Sequence, residues 1–120
     1  MSMVIDGSNG LTFPGGTTQI ITAGMGTSAT AQTWQNLTAS RALGTTYTNS
    51  TGYPIMICVS GSVTAIGNNV LQGSINGTII GYSSANSGNF NMTYIVPNGA
   101  TYNVAVNVGS ISLASYFELR

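Results

Sequence analysis

The sequence predicts an all-β fold, a sandwich or barrel of antiparallel strands. Three observations carry that expectation. Apolar residues recur at every second position along most of the chain, the period of a strand with one buried face. Turn chemistry returns roughly every ten residues between those runs, the spacing of many short strands. Thr, Val and Ile are abundant while Glu, Lys, Arg and Gln are sparse, and no convincing helix emerges. A length of 120 residues allows one domain with an ordinary apolar core.

The elements follow in order. In residues 1–30 the glycines at 7, 10, 15, 16, 24 and 26 interrupt every run. The apolar pieces Val4-Ile5, Leu11–Phe13 and Ile20-Ile21 are too short to stand alone. This stretch is expected to be an extended Gly-rich arm, with Val4, Ile5, Leu11, Phe13, Ile20 and Ile21 as the side chains that dock it elsewhere. Residues 31–120 are the β-domain. Trp34–Leu37 is a short strand. Thr45–Thr48 and Ile55–Ser60 are expected to form a hairpin across Asn49-Ser50-Thr51-Gly52, with Ile55, Ile57 and Val59 on one face. Val70–Ile75 and Thr78–Tyr82 flank Asn76-Gly77, the strongest two-residue hairpin signal.

Two further runs alternate cleanly. Asn89–Val96 places Phe90, Met92, Tyr94 and Val96 on one face; Thr101–Val108 does the same with Tyr102, Val104, Val106 and Val108. Pro97-Asn98-Gly99-Ala100 between them is strong turn chemistry and predicts a third hairpin. The last strand is Ile111–Leu119, with Ile111, Leu113, Phe117 and Leu119 on one side.

Charge decides which functions are open. Asp6, Arg41, Glu118 and Arg120 are the only charged side chains, 3% of the chain against about 25% in ordinary soluble domains. There is no His and no Lys, which excludes a Ser-His-Asp triad, imidazole acid–base chemistry, a P-loop and a Schiff base. One Cys and two carboxylates cannot build a zinc or calcium cage. Two Arg cannot neutralise a phosphate backbone, so no nucleic-acid partner is expected. The only carboxyl pair, Asp6 and Glu118, lies near opposite ends of the chain, unlike a glycosidase pair set by design. The chain is therefore expected to be no enzyme and to need no cofactor.

Cys58 is expected to be a small buried hydrophobe. The opening MSMVIDGSNG has neither the basic patch nor the apolar core of a signal peptide. The longest apolar run, Ile55–Val59, falls far short of the ~20 residues of a membrane helix, so no membrane insertion is expected. Gly, Ser, Thr and Asn make up 58 residues and must supply the polar surface. Neutral net charge and strands without Lys favour edge pairing and association. A tight homo-oligomer is expected.

Several strings resemble known proteins. VIDGSNGLTFPGGTTQ (4–19), WQNLTASRALGTTYTNSTGYPI (34–55), IVPNGATY (95–102) and YFELR (116–120) are similar, as an ordered set, to segments of tail fibres and other virion proteins of tailed bacteriophages. The resemblance implies a homotrimeric antiparallel β-sandwich, jelly-roll-like, carried on the virion and often at the tail-fibre or spike tip that binds the host cell surface. The linker-like string begins at Val4, and no fibre shaft is expected ahead of it. The arm is then expected to dock on another virion protein. A capsid decoration or head-fibre subunit at the capsid surface is the alternative role.

Two sets of residues follow from this expectation. Tyr53 and Tyr82, beside turns, and Asn68, Asn69, Asn86 and Asn89, in loops, are candidate contacts to a host glycan or protein, because neutral amides and an aromatic face suit a sugar ring. Arg41 and Glu118 are a candidate ion pair, within or between chains, fixing register at the oligomer interface.

Overall fold

The alternating runs fold as strands. A computed structural model describes residues 31–120, together with the backbones of Val4–Asp6, Gly10–Thr12 and Thr18–Gln19. These three short segments are β1, β2 and β3. They pair antiparallel in the order β1-β2-β3, with Val4 opposite Thr12 and Leu11 opposite Gln19. Of the pieces too short to stand alone, Val4-Ile5 and Leu11-Thr12 thus pair with each other. Phe13, Ile20 and Ile21 of the expected docking set lie outside the described residues.

Residues 31–120 form eight strands: β4 (Trp34–Asn36), β5 (Tyr47–Thr48), β6 (Ile55–Val63), β7 (Asn69–Ile75), β8 (Thr78–Ala85), β9 (Asn89–Val96), β10 (Thr101–Val108) and β11 (Ile111–Leu119). Among the described residues the only helical piece is a 3-10 turn at Thr38–Ser40. The strands make two antiparallel sheets. The first has the order β5-β10-β7-β8 and the second β4-β11-β6-β9. Every link between consecutive strands changes sheet except β7–β8.

The inward residues of both sheets build one core. Ile55, Ile57 and Val59 of β6, Met92 and Val96 of β9 and Tyr116 of β11 come from the second sheet; Leu71 of β7 and Tyr102 and Val104 of β10 come from the first. The strict alternation in β6 is what places its three branched side chains there, fully buried. Each such side chain contributes about 1.5–3 kcal/mol of transfer free energy. The sheets approach closely at Gly73, where a Cβ would stand 2.7 Å from both the Met92 sulfur and Tyr94 Cε1.

One predicted hairpin forms and two do not. β7 and β8 pair with Ile75 opposite Thr78, and Asn76 and Gly77 take φ of 50° and 79°, the two positive-φ positions of a type I′ turn. By contrast β9 pairs with β6, while β10 pairs with β5 and β7. Likewise β6 pairs with β9 and β11 and not with β5. The turns reverse the chain as their chemistry dictates, but each delivers the next strand to the opposite sheet. Burial explains this: Val96, Ala100 and Tyr102 are all inward, so β9 and β10 meet across the core and not side by side. Asn49, fully buried, ties both corners together. Its N–H donates to the Ala100 carbonyl (2.9 Å) and its carbonyl accepts from Gly99 N–H (2.8 Å). Its Nδ2 donates to the carbonyls of Tyr53, Val96 and Pro97.

Two register shifts cut the expected faces. In β11 the shift falls between Leu113 and Ser115. Ile111 and Leu113 pack on the core, but beyond the shift Tyr116 and Glu118 are buried and Phe117 and Leu119 move to the other face. In β10 the shift falls between Val106 and Val108. Tyr102 and Val104 are buried; Val106, opposite the buried Leu71, keeps their face but is exposed near the strand end, and only Val108, beyond the shift, leaves it. The single apolar faces expected for Ile111–Leu119 and Thr101–Val108 are therefore each corrected to two.

Candidate functional site: a buried charge cluster and the two outer faces

The shift in β11 sends Glu118 inward, where it is fully buried. A lone buried carboxylate is very costly, so it must be paired. Arg41 Nε donates to Glu118 Oε1 at 2.9 Å and Arg120 Nη1 to Oε2 at 2.9 Å. The Tyr102 hydroxyl donates to Oε1 at 2.7 Å. The Arg41 guanidinium also lies over the Tyr47 ring, 4.4 Å from its centroid. Burial, helped by the bond to Glu118, pushes the Tyr102 hydroxyl up to about 12.

The expected Arg41–Glu118 pair therefore forms within one chain, joining β11 to the segment before β5. Arg120 and Tyr102 complete it and were not singled out from the sequence. Arg120 was findable: residues two apart on a strand share a face. Tyr102 was not, because β10 belongs to the other sheet. This one cluster collects all the charged side chains of residues 31–120, and the rest of the domain surface carries none.

The outward face of the second sheet is apolar at one end. Its register aligns Trp34, Leu119, Met56 and Ile95 as one row across β4, β11, β6 and β9. The next row is Asn36, Phe117, Cys58 and Thr93, and the third is Ser115, Ser60 and Asn91. A shallow concavity of about 340 Å³ lies among Trp34, Met56, Cys58, Thr93 and Phe117. Trp34 is 50% and Ile95 48% exposed. Cys58, expected to be buried, is half-buried here.

The outward face of the first sheet is mixed: hydroxyls and amides line it over β5, β10 and β7, but Ile79, opposite Ser74, and Val108, opposite Val70, are exposed as well, and so is Ile80 on β8. Asn103 of β10 stands opposite Ser74 of β7, and Thr101 opposite Thr48 of β5. A groove of about 360 Å³ is lined by Thr46, Ser74, Gly77, Thr101, Tyr102 and Asn103. Asn103 Nδ2 donates to Thr46 Oγ1 at 3.0 Å, and the Asn103 carbonyl accepts from the Tyr94 hydroxyl at 3.1 Å. Asn103 Oδ1 is shielded from solvent and has no hydrogen-bond partner. The groove wall is fixed by Asn76 Oδ1, which accepts from Thr101 N–H at 2.9 Å.

The structure does not gather the expected contact residues. Asn68, Asn86 and Asn89 are exposed at one end, where Gly67 N–H donates to the Asn86 carbonyl. Tyr53 is half-buried at the other end, beside Asn49. Tyr82 is 60% exposed, but it sits within β8 opposite Gln72 and not beside a turn. Asn69 is corrected outright: it is buried, its Nδ2 donates to the carbonyls of Ala65 and Gly67, and its Oδ1 accepts from Ser110 N–H. It braces loops and has nothing left for a ligand. The groove on the first sheet was missed because its residues are brought together by pairing of β5, β10 and β7, which no local pattern announces.

Among the described residues no group of three His, Cys, Asp or Glu side chains stands where it could hold a metal ion. No protein-family model, no curated protein and no solved structure matches the chain.

Proposed function

We propose that this chain is a structural subunit of a tailed-phage virion that works by assembly and contact, without catalysis. Its eight-stranded domain is a jelly-roll-like sandwich: the orders β4-β11-β6-β9 and β5-β10-β7-β8 are the two sheets of that winding, an architecture used by viral capsid and lectin domains. The observation that carries the proposal is the apolar row Trp34–Leu119–Met56–Ile95 on a domain whose only charged side chains are the paired Arg41, Glu118 and Arg120. Exposed apolar patches of this kind mark interaction sites, and no Lys guards the sheet edges against a second copy. A homotrimer buries this row between subunits. The number three and the virion setting rest on the resemblance of the strings at 4–19, 34–55, 95–102 and 116–120 to tail-fibre proteins.

In this proposal residues 1–30 attach the subunit to another virion protein, and the outer face of the first sheet is left to meet the host surface at a fibre or spike tip. Light scattering on the purified protein tests the assembly: a species of three times 12.3 kDa is expected, and a 12.3 kDa species alone overturns it. Labelling the protein on the parent particle tests the place. A few copies at tail ends, with free protein blocking adsorption, support host contact; hundreds on the head support decoration of the capsid instead.

A further inference from the structure

We infer that copies of this chain join edge to edge, β9 of one pairing antiparallel with β4 of the next, so that the apolar row runs on from copy to copy. This rests on the assembly proposed above and names the contact that makes it.

The backbone decides which groups each edge offers. β4 and β9 are the outer strands of the second sheet, so each has one unpaired side. In an antiparallel pair alternate residues turn both N–H and C=O toward the partner strand, and the residues between them turn both away. On β4, Thr33 and Arg120 exchange bonds of 3.1 and 3.0 Å, and Leu37 N–H donates to the Tyr116 carbonyl. Thr33, Gln35 and Leu37 therefore face β11, while Trp34 and Asn36 turn their backbone groups to the free side. On β9 the phase is set by Val63 N–H, which donates to the Gly88 carbonyl one step beyond the β6–β9 ladder. Asn91, Thr93 and Ile95 therefore face the free side. Ser83 Oγ, reaching over from β8, donates to the Asn91 carbonyl there at 2.8 Å. Among the described residues nothing claims the free-side groups of Trp34, Asn36, Thr93 and Ile95.

The two edges match. Setting Ile95 opposite Trp34 of the next copy also sets Thr93 opposite Asn36, because the strands run antiparallel, and in both pairs all the backbone groups point at each other. The side chains agree. Ile95 and Trp34 end the first outward row, and Thr93 and Asn36 end the second. The ends of the first row are its exposed members, while Met56 and Leu119 between them are half-buried. Each neighbour in β4-β11-β6-β9 is antiparallel, so β4 and β9 run in opposite senses. Copies rotated about an axis along the strands then present the two edges in the sense that pairing needs. Neither strand carries a charge or a Pro to guard it, and the β6–β9 register is free of bulges. The other long edge, β8, is interrupted opposite Gly73 and Ser74. Pairing β9 with β9, or β4 with β4, covers one end of the row and leaves the other bare. Joining unlike edges covers both, and contacts of that kind close into rings.

Hydrogen exchange on the native full chain tests the ladder. In the assembled protein the amides of Trp34, Asn36, Thr93 and Ile95 are expected to exchange about a hundredfold or more slower than unstructured amides. A cross-link tests the partner. Asn36→Cys and Thr93→Cys are combined in a Cys58→Ala background. Within one chain the two positions stand three strand spacings apart, about 14 Å, beyond the roughly 7 Å that a disulfide spans. Oxidation is expected to give covalently linked copies that reductant returns to single chains, while either cysteine variant alone stays single. Should the double variant fail to fold, exchange on the native chain decides. Unprotected edge amides in a protein that light scattering shows assembled overturn the contact and leave the assembly standing. Linked pairs from Thr93→Cys alone overturn it in favour of β9 with β9. A 12.3 kDa species alone overturns both contact and assembly.

Discussion

At the scale of single residues, Glu118 is the position on which most depends. It is the only acidic side chain of residues 31–120, and that scarcity, with the tail-fibre-like strings around it and Arg41, led to the expectation that the two pair. Its burial was not legible. Tyr116-Phe117-Glu118-Leu119 offers an apolar residue to either face, and only the register shift decides which face turns inward. Removing one partner leaves a buried charge short of a donor, so Arg41→Ala is expected to destabilise the fold by about 2–4 kcal/mol in denaturant titration. A loss under about 0.5 kcal/mol, typical of exposed pairs, contradicts the cluster. Tyr116 provides the opposite case. Its hydroxyl is buried without a partner, so Tyr116→Phe is expected to be neutral or stabilising in the same titration. The tyrosines also set the pH response. Tyr102 is held up at about 12, first by burial and then by Glu118, while the unfolded value is about 10. Between those values the folded chain keeps a proton that the unfolded chain has released. Stability from this group is thus complete below about pH 10 and lost as pH rises through 12. Burial pushes Tyr94 and Tyr116 up as well, with the same sign. Melting temperature is expected to fall from about pH 10 upward, and less steeply in Tyr102→Phe; a flat profile to pH 11 contradicts this.

At the scale of elements, strands were easier to foresee than their partners. A run such as Ile55–Val59 declares its period, and Asn76-Gly77 declares its turn, because both signals are local. Pairing is not local. The turns at Asn49–Gly52 and Pro97–Ala100 contain sound turn residues, yet the buried Asn49 amide stitches them into a corner between sheets. Asn49 looked like an ordinary turn residue because its long-range partners at Val96 and Pro97 lie 47 and 48 positions away. Gly73 shows the same blindness: in the sequence it only interrupts a strand. In the fold it faces Met92 and Tyr94 across the core. Gly73→Val is therefore expected to overpack that contact and cost about 1–3 kcal/mol, read as a lower denaturation midpoint. An unchanged midpoint contradicts so close an approach of the sheets.

At the scale of the whole molecule, apolar side chains stand on both outward faces. A chain with almost no charge has two ways to remain dispersed: cover its apolar surface, or clothe it in hydroxyls and amides. This domain mixes the two. The first sheet presents Thr46, Thr101, Asn103 and Ser74 together with exposed Ile79, Ile80 and Val108, and the second aligns Trp34, Leu119, Met56 and Ile95 as one row. The row was invisible in composition, and it exists because the β11 shift turns Phe117 and Leu119 outward. If the apolar row is the contact between copies, a charge placed in it must break the assembly without touching the core. Ile95 is the position to choose, since it is 48% exposed and outward on edge strand β9. Ile95→Lys puts a cation into each contact, and like charges across a desolvated interface cost several kcal/mol. The variant is expected to run as a folded 12.3 kDa species in light scattering, with its monomer core intact by circular dichroism. Asn89→Lys, outward on the same strand but outside the row, is expected to leave the oligomer whole. An Ile95→Lys protein that still assembles removes the apolar row from the interface and moves the contact to another part of the uncharged surface.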